Sequence, residues 1–139
     1  MILLGTDIVY IPRINAALDR FGERFLQRVY TKTEQQDCNY GNPPSRSSVN
    51  QLAGRWAAKE AVVKALGTGW RGVGFTDIEI RRQPSGAPKV FFHRRAAMMV
   101  ANWEDQWQLS LSHDGNYAIA TALLVCSTGK PLLPQGNGD

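Results

Sequence analysis

Cysteine and histidine are both scarce in this sequence, with two of each among 139 residues. Cys38 and Cys126 form no CxxC pair and sit in no secreted-scaffold spacing, which argues against a disulfide framework and for a reducing, cytoplasmic setting. No run is long and apolar enough to span a bilayer. The opening MILLGTDIVY is apolar but short, has no basic leader and is broken by Asp7, so it is expected as a strand and not as a signal peptide. No segment repeats. The Gly-rich stretch after Leu66 lacks the GxxxxGK[ST] spacing of a Walker sequence, which speaks against an ordinary nucleotide triphosphatase. A net charge of +4 and a pI of about 9.3 leave room for an acidic partner but are too modest to single out nucleic acid.

What is present suits one globular domain. Hydrophobic residues make up 43% and charged residues 20% of a chain long enough to bury a proper core. Residues 2–11 read as a buried β-branched strand in which Gly5 and Asp7 are the odd residues. A helix follows from Pro12, with Ile14, Leu18, Phe21 and Phe25 on its inner stripe and Arg13, Arg20, Arg24 and Arg28 on an adjacent face; Gly22 divides it. Thr31 and Thr33 can cap a short helix near Glu34, and GNPPSRSS at 41–48 reads as a loop. Ser48 and Gln51 have capping-box spacing, so a long central helix is expected from there to Leu66, stopped by Gly67 in a left-handed conformation.

Further on, FTDIEIRR at 75–82 and KVFF alternate as a hairpin around QPSGAP, and HRRAAMMVANW predicts a short helix with Ala96, Met99, Val100 and Trp103 inside. WQLSLSH then alternates, and YAIATALLVC is expected as a strand buried on both faces after the HDGN turn. Helices and strands mix irregularly with hairpins, which predicts an α+β domain over residues 1–126. Residues 127–139, STGKPLLPQGNGD, have the composition of a disordered tail.

The central helix holds a puzzle. Leu52, Ala53, Trp56 and Val63 fall on one apolar stripe, and Glu60 falls on it too, with Lys64 one turn further and Lys59 and Arg55 towards the edge. A carboxylate in an apolar setting is costly without a partner. Either a nearby Lys or Arg pairs with it, or a divalent cation does. Asp7, the glycines Gly67, Gly69, Gly72 and Gly74, and His113 in SLSHD each have a bland reading as turn cap, helix stop and structural histidine. Together with Glu60 and Lys64 they describe a phosphate site. Two carboxylates with few other ligands suit Mg²⁺, which completes its shell with water and substrate phosphates. A lysine one turn on and backbone amides of a Gly-rich loop suit a diphosphate.

These residues resemble a known family. GTDIVYIPR at 5–13 matches the signature GxDxxxxxR, and GRWAAKEAVVKALGTG at 54–69 resembles [FW]xxKExxxK with its flanks; FTDIEI and LSLSHD follow in the same order. The chain is similar, from Ile2 to Cys126, to holo-acyl-carrier-protein synthases, the short class of 4′-phosphopantetheinyl transferases. The resemblance implies a small antiparallel sheet packed with one long helix. It implies Mg²⁺-dependent transfer of phosphopantetheine from coenzyme A to a serine of acyl carrier protein, in the setting of fatty-acid biosynthesis, by a homotrimer with active sites between subunits. By resemblance, Asp7 and Glu60 would hold the metal, and Glu60 would help deprotonate the serine. Lys64 would contact the coenzyme A phosphates and assist the departing one. Arg55, Gly67, Gly69 and His113 would line the coenzyme A pocket, and Arg13, Arg20 and Arg24 would meet an acidic helix of the carrier. Two other readings compete: a non-catalytic coenzyme A or nucleotide-binding module, and a basic RNA-binding domain. The second needs aromatics interleaved with basic residues on a sheet face, whereas the basic residues here cluster on helices.

Overall fold

A computed structural model describes residues 1–41, 45–103 and 106–126. The first strand, β1, is Ile2–Tyr10. Helix α1 (Ile11–Phe21) follows directly, with Pro12 in its first turn where a missing N–H costs nothing. Gly22, at φ 55°, ends it and α2 (Glu23–Val29) begins at once, so the expected division occurs. The core-facing stripe is only half realised: Ile14 and Leu18 are buried, but Phe21 is exposed and Phe25 is half-buried.

Helix α3 (Lys32–Asp37) starts two residues before Glu34, capped by Thr31 in a reciprocal capping box with Glu34. The long helix α4 (Arg46–Leu66) starts inside the stretch expected as loop. Its cap is Ser45, whose hydroxyl accepts from the Ser48 amide at 3.0 Å, and not Ser48 with Gln51. Gly67, at φ 74°, closes it as expected. Phe75–Asp77 form a 3₁₀ turn where a strand was expected, because the Asp77 carboxylate takes the Gly74 amide at 2.8 Å and bends the chain. The hairpin is then β2 (Ile78–Arg82) with β3 (Pro88–Phe92), followed by α5 (Arg94–Met99), β4 (Trp107–Asp114) and β5 (Tyr117–Val125).

Two antiparallel sheets result, one ordered β1-β5-β4 and the other β2-β3. This is the expected α+β architecture around one long helix. Helix α4 packs on β1 and β5 and is flanked by α1, β2 and β4. Small residues permit the close fit: Gly5 of β1 pairs with Ala122 of β5, and Ala118, Ala120 and Ala122 are all buried.

Strand β5 corrects one expectation. Its inner face is buried, but Tyr117, Ile119 and Val125 on the other face are exposed. They pair across the sheet with Tyr10, Ile8 and Ile2, so the outer face is largely apolar on both strands, interrupted by the hydrogen-bonded Thr6–Thr121 pair. Ile2, Leu4 and Ile8 are 67%, 62% and 61% exposed. The residues of the expected tail, 127–139, lie outside the described residues.

Candidate active site

The central helix resolves the glutamate puzzle differently from its sequence. Lys59 and Arg55 are buried and do not sit at the edge of a stripe, while Glu60 is only half-buried. Helix α4 is packed by β1, β5, α1, β2 and β4, and its open side is the one that carries Glu60 and the half-exposed Lys64. Lys59 donates to Glu34 at 2.7 Å, to the Val29 carbonyl at 2.7 Å and to the Phe75 carbonyl at 2.8 Å. Burial pushes the Lys59 ammonium below its ordinary range, and the Glu34 carboxylate opposes that shift. Glu34 also accepts from the Thr31 and Ile80 amides, so the buried pair is fully hydrogen-bonded.

Asp7 reaches the helix through a backbone contact. A Cβ at Gly5 would lie 1.9 Å from the Ala61 carbonyl oxygen, so only glycine lets β1 come this near to α4. Two residues along the strand, Asp7 points to the same face, and Lys64 donates to its Oδ1 at 2.9 Å and to the Thr6 carbonyl at 3.1 Å. Glu60, one turn before Lys64, accepts from the Trp70 indole N–H at 3.3 Å. Burial raises the Glu60 carboxyl above its ordinary value; the Trp70 hydrogen bond opposes this, the Asp7 charge adds to it, and Lys64 opposes it. Asp7, Glu60 and Lys64 therefore converge, as expected from the sequence. Gly67 and Gly69, both at positive φ, turn the chain back just beyond Lys64.

This cluster fits Mg²⁺ by its donor set. Among the described residues no group of three or more His, Cys, Asp or Glu side chains gathers at one place. Two carboxylates that feel each other's charge, with a lysine beside them, leave most of a cation's shell to water and phosphate oxygens, which is how Mg²⁺ is commonly held.

Arg55 and His113 lie elsewhere on the chain. They line a cleft of about 500 Å³ with Arg46, Asn50, Gln51 and Ser112, at the N-terminal half of α4. Asp7, Glu60 and Lys64 are not among its walls. Arg55 is buried, donates to the Gln51 carbonyl at 3.4 Å, and its Nε has no partner among the described residues. A larger open hollow of about 680 Å³ lies on α3 beside Lys32 and Tyr40, and it gathers none of the sequence's candidates. Arg13, Arg20 and Arg24 lie on α1 and α2; Arg20 and Arg24 are exposed, and Arg24 and Arg28 flank Phe21 and Phe25 in a surface groove.

Sequence reasoning missed Arg46, Trp70 and the Lys59–Glu34 pair. A lone aromatic in the otherwise Gly-rich GTGWRGVG is the signal that marks Trp70. Arg46 lay hidden in a segment read as loop.

Comparison with known proteins identifies the family. A family model described as the 4′-phosphopantetheinyl transferase superfamily matches residues 3–122. The holo-[acyl-carrier-protein] synthase of Gloeobacter violaceus is 53% identical over 123 residues, covering 88% of this chain and 91% of the relative. That of Koribacter versatilis is 43% identical over 122 residues, covering 86% and 94%. Among solved structures, the synthase of Neisseria meningitidis superposes with a TM-score of 0.78 at 34% identity, covering 91% of this chain and all of that one. The Helicobacter pylori synthase, solved in complex with coenzyme A, gives 0.75 at 31% identity, covering 88% and 100%. The chain belongs to the 4′-phosphopantetheinyl transferase superfamily and, within it, to the holo-[acyl-carrier-protein] synthase family.

Proposed function

We propose that this protein transfers the 4′-phosphopantetheine group from coenzyme A to a serine of apo acyl carrier protein, releasing adenosine 3′,5′-bisphosphate, and that it does so as a Mg²⁺-dependent cytoplasmic homotrimer formed by residues 1–126. The observation that carries the reading is the convergence of Asp7, Glu60 and Lys64 at the backbone contact between β1 and α4. Asp7 and Glu60 would hold Mg²⁺, which would supply charge neutralisation for the diphosphate. Glu60, whose carboxyl burial raises above its ordinary value, would help take the proton of the serine hydroxyl, directly or through a water. The serine oxygen bonds to the phosphorus next to the pantetheine arm. The bond from that phosphorus to the bridging oxygen breaks, leaving its electron pair on adenosine 3′,5′-bisphosphate. Lys64, half-exposed and paired with Asp7, would assist the departing phosphate.

The homotrimer reading is supported by two observations. The outer face of β1 and β5 exposes a largely apolar surface that a partner subunit would cover. The cleft with Arg55 and His113 is separate from the carboxylate cluster on one protomer, as expected if each site takes its phosphate cluster from one subunit and its cleft from the next. Arg46, Arg55 and His113, gathered on the cleft wall, suit an anionic part of coenzyme A. Cytoplasmic placement is supported by two free, buried cysteines, and no helix among the described residues is long and apolar enough to cross a membrane.

Two measurements test this. Release of adenosine 3′,5′-bisphosphate should require apo carrier protein and stop with chelator; release that continues in chelator contradicts the metal role. Mixing inactive Glu60→Gln and His113→Ala proteins should restore part of the activity, because some shared sites then combine two intact halves. An inactive mixture, with subunit exchange verified, contradicts the shared site.

A further inference from the structure

Residues 67–74 contain four glycines and a single aromatic residue, Trp70. Positive φ at Gly67, Gly69 and Gly72 folds this loop back beneath the end of α4. The Trp70 ring lies 4.0 Å from that of Phe75, in a stacked arrangement. Phe75 in turn stacks on Trp56 at 4.7 Å, and Trp56 on Phe25 at 6.1 Å. The backbone carbonyl of Phe75 accepts from the buried Lys59 ammonium, so this ring row is tied to the core by a polar anchor as well as by its own packing. Glu60 Oε2 accepts from the indole N–H at the end of the row, and no donor among the described residues takes Oε1.

We infer that Trp70 is a positioning residue for Glu60: a rigid ring row ends in one N–H that holds Oε2 and leaves Oε1 turned to the cation. The inference rests on the reading that Glu60 ligates a divalent metal. A glutamate has three side-chain torsions to restrain, and a flexible Gly-rich loop would otherwise offer nothing to restrain them. Hydrogen bonds that orient a ligating side chain are worth about 10-fold to 100-fold in metal affinity or activity. Stacking alone would make Trp70 a packing residue, and the N–H separates the two roles.

The test uses Mn²⁺ as the probe, titrated by its electron paramagnetic resonance into the full chain with coenzyme A present. Trp70→Phe keeps a stacking ring and removes the donor. We expect its Mn²⁺ dissociation constant to rise about tenfold, with kcat falling and the KM for coenzyme A and the melting temperature unchanged. Unchanged Mn²⁺ affinity in folded Trp70→Phe overturns the inference. Should that variant melt early, β-(3-benzothienyl)alanine at position 70 keeps the bicyclic shape without the N–H, and the same tenfold loss or its absence decides. Glu60→Gln distinguishes the two readings: lost binding there with full binding in Trp70→Phe overturns positioning alone. Equal binding by wild type and Glu60→Gln overturns the metal reading and the inference with it.

Discussion

Lys59 and Glu34, twenty-five positions apart, meet at 2.7 Å with both side chains wholly buried. The pair ties α3 to α4, and through the Phe75 carbonyl and the Ile80 amide it also holds the 3₁₀ turn and β2. Removing one member strands the other charge in the core, which costs about 3–5 kcal/mol. Lys59→Met should therefore lose stability of that order in urea denaturation. Adding Glu34→Gln should recover a large part of the loss; a double variant as unstable as the sum of the singles contradicts the pairing.

The Gly5 contact is equally specific. A methyl carbon added there would sit 1.9 Å from the Ala61 carbonyl oxygen and 2.7 Å from the Ala65 amide nitrogen, and neither neighbour can move without shifting a strand or a helix. Gly5→Ala should cost about 3 kcal/mol or more and lower activity by parting Asp7 from Glu60. Gly41→Ala, where nothing among the described residues lies within 4 Å, is the control and should stay within about 0.5 kcal/mol of wild type.

Glu60 sets stability against function. Its carboxyl, raised by burial, keeps its proton more readily in the fold than in the unfolded chain. The stability this gives is complete below the ordinary carboxylate range and is lost as pH rises through the raised value. In chelator, Glu60→Gln should thus melt above wild type at neutral pH, by a margin reduced because water screens the half-exposed group. The two melting temperatures should converge in acid. A Glu60→Gln protein that melts below wild type at neutral pH contradicts the desolvation assigned here.

We propose the exposed arginines of α1 and α2 as the surface that meets an acidic helix of the carrier protein. Arg20→Glu combined with Arg24→Glu should raise the KM for apo carrier protein about tenfold and leave the KM for coenzyme A unchanged. The wild-type KM for carrier should itself rise with salt. An unchanged carrier KM in the double variant places the docking surface elsewhere.

Much of the molecule is legible in the sequence, where local signals decide the outcome. The stop at Gly67 needs only a left-handed residue, the division at Gly22 only a break in a helical stripe, and the β4 alternation only a period of two. Asp7, Glu60 and Lys64 stand out through their signatures. Lys59 does not, because its partner lies on another helix, and residue type alone puts a lysine at the surface. The outer face of β5 is misleading because apolar side chains are assigned by default to the core of one chain. Trp70 is easily passed over because a loop's glycines draw attention to its backbone, while the indole acts through a ring row built from α2, α4 and the 3₁₀ turn.

The most direct measurement is the mass of an apo acyl carrier protein after incubation with this protein, coenzyme A and Mg²⁺. The carboxylate–lysine cluster requires a gain of one phosphopantetheine, absent with chelator and absent with Glu60→Gln. No gain on any of several carrier proteins, from a chain that still binds coenzyme A, would contradict the transfer and leave a binding module in its place.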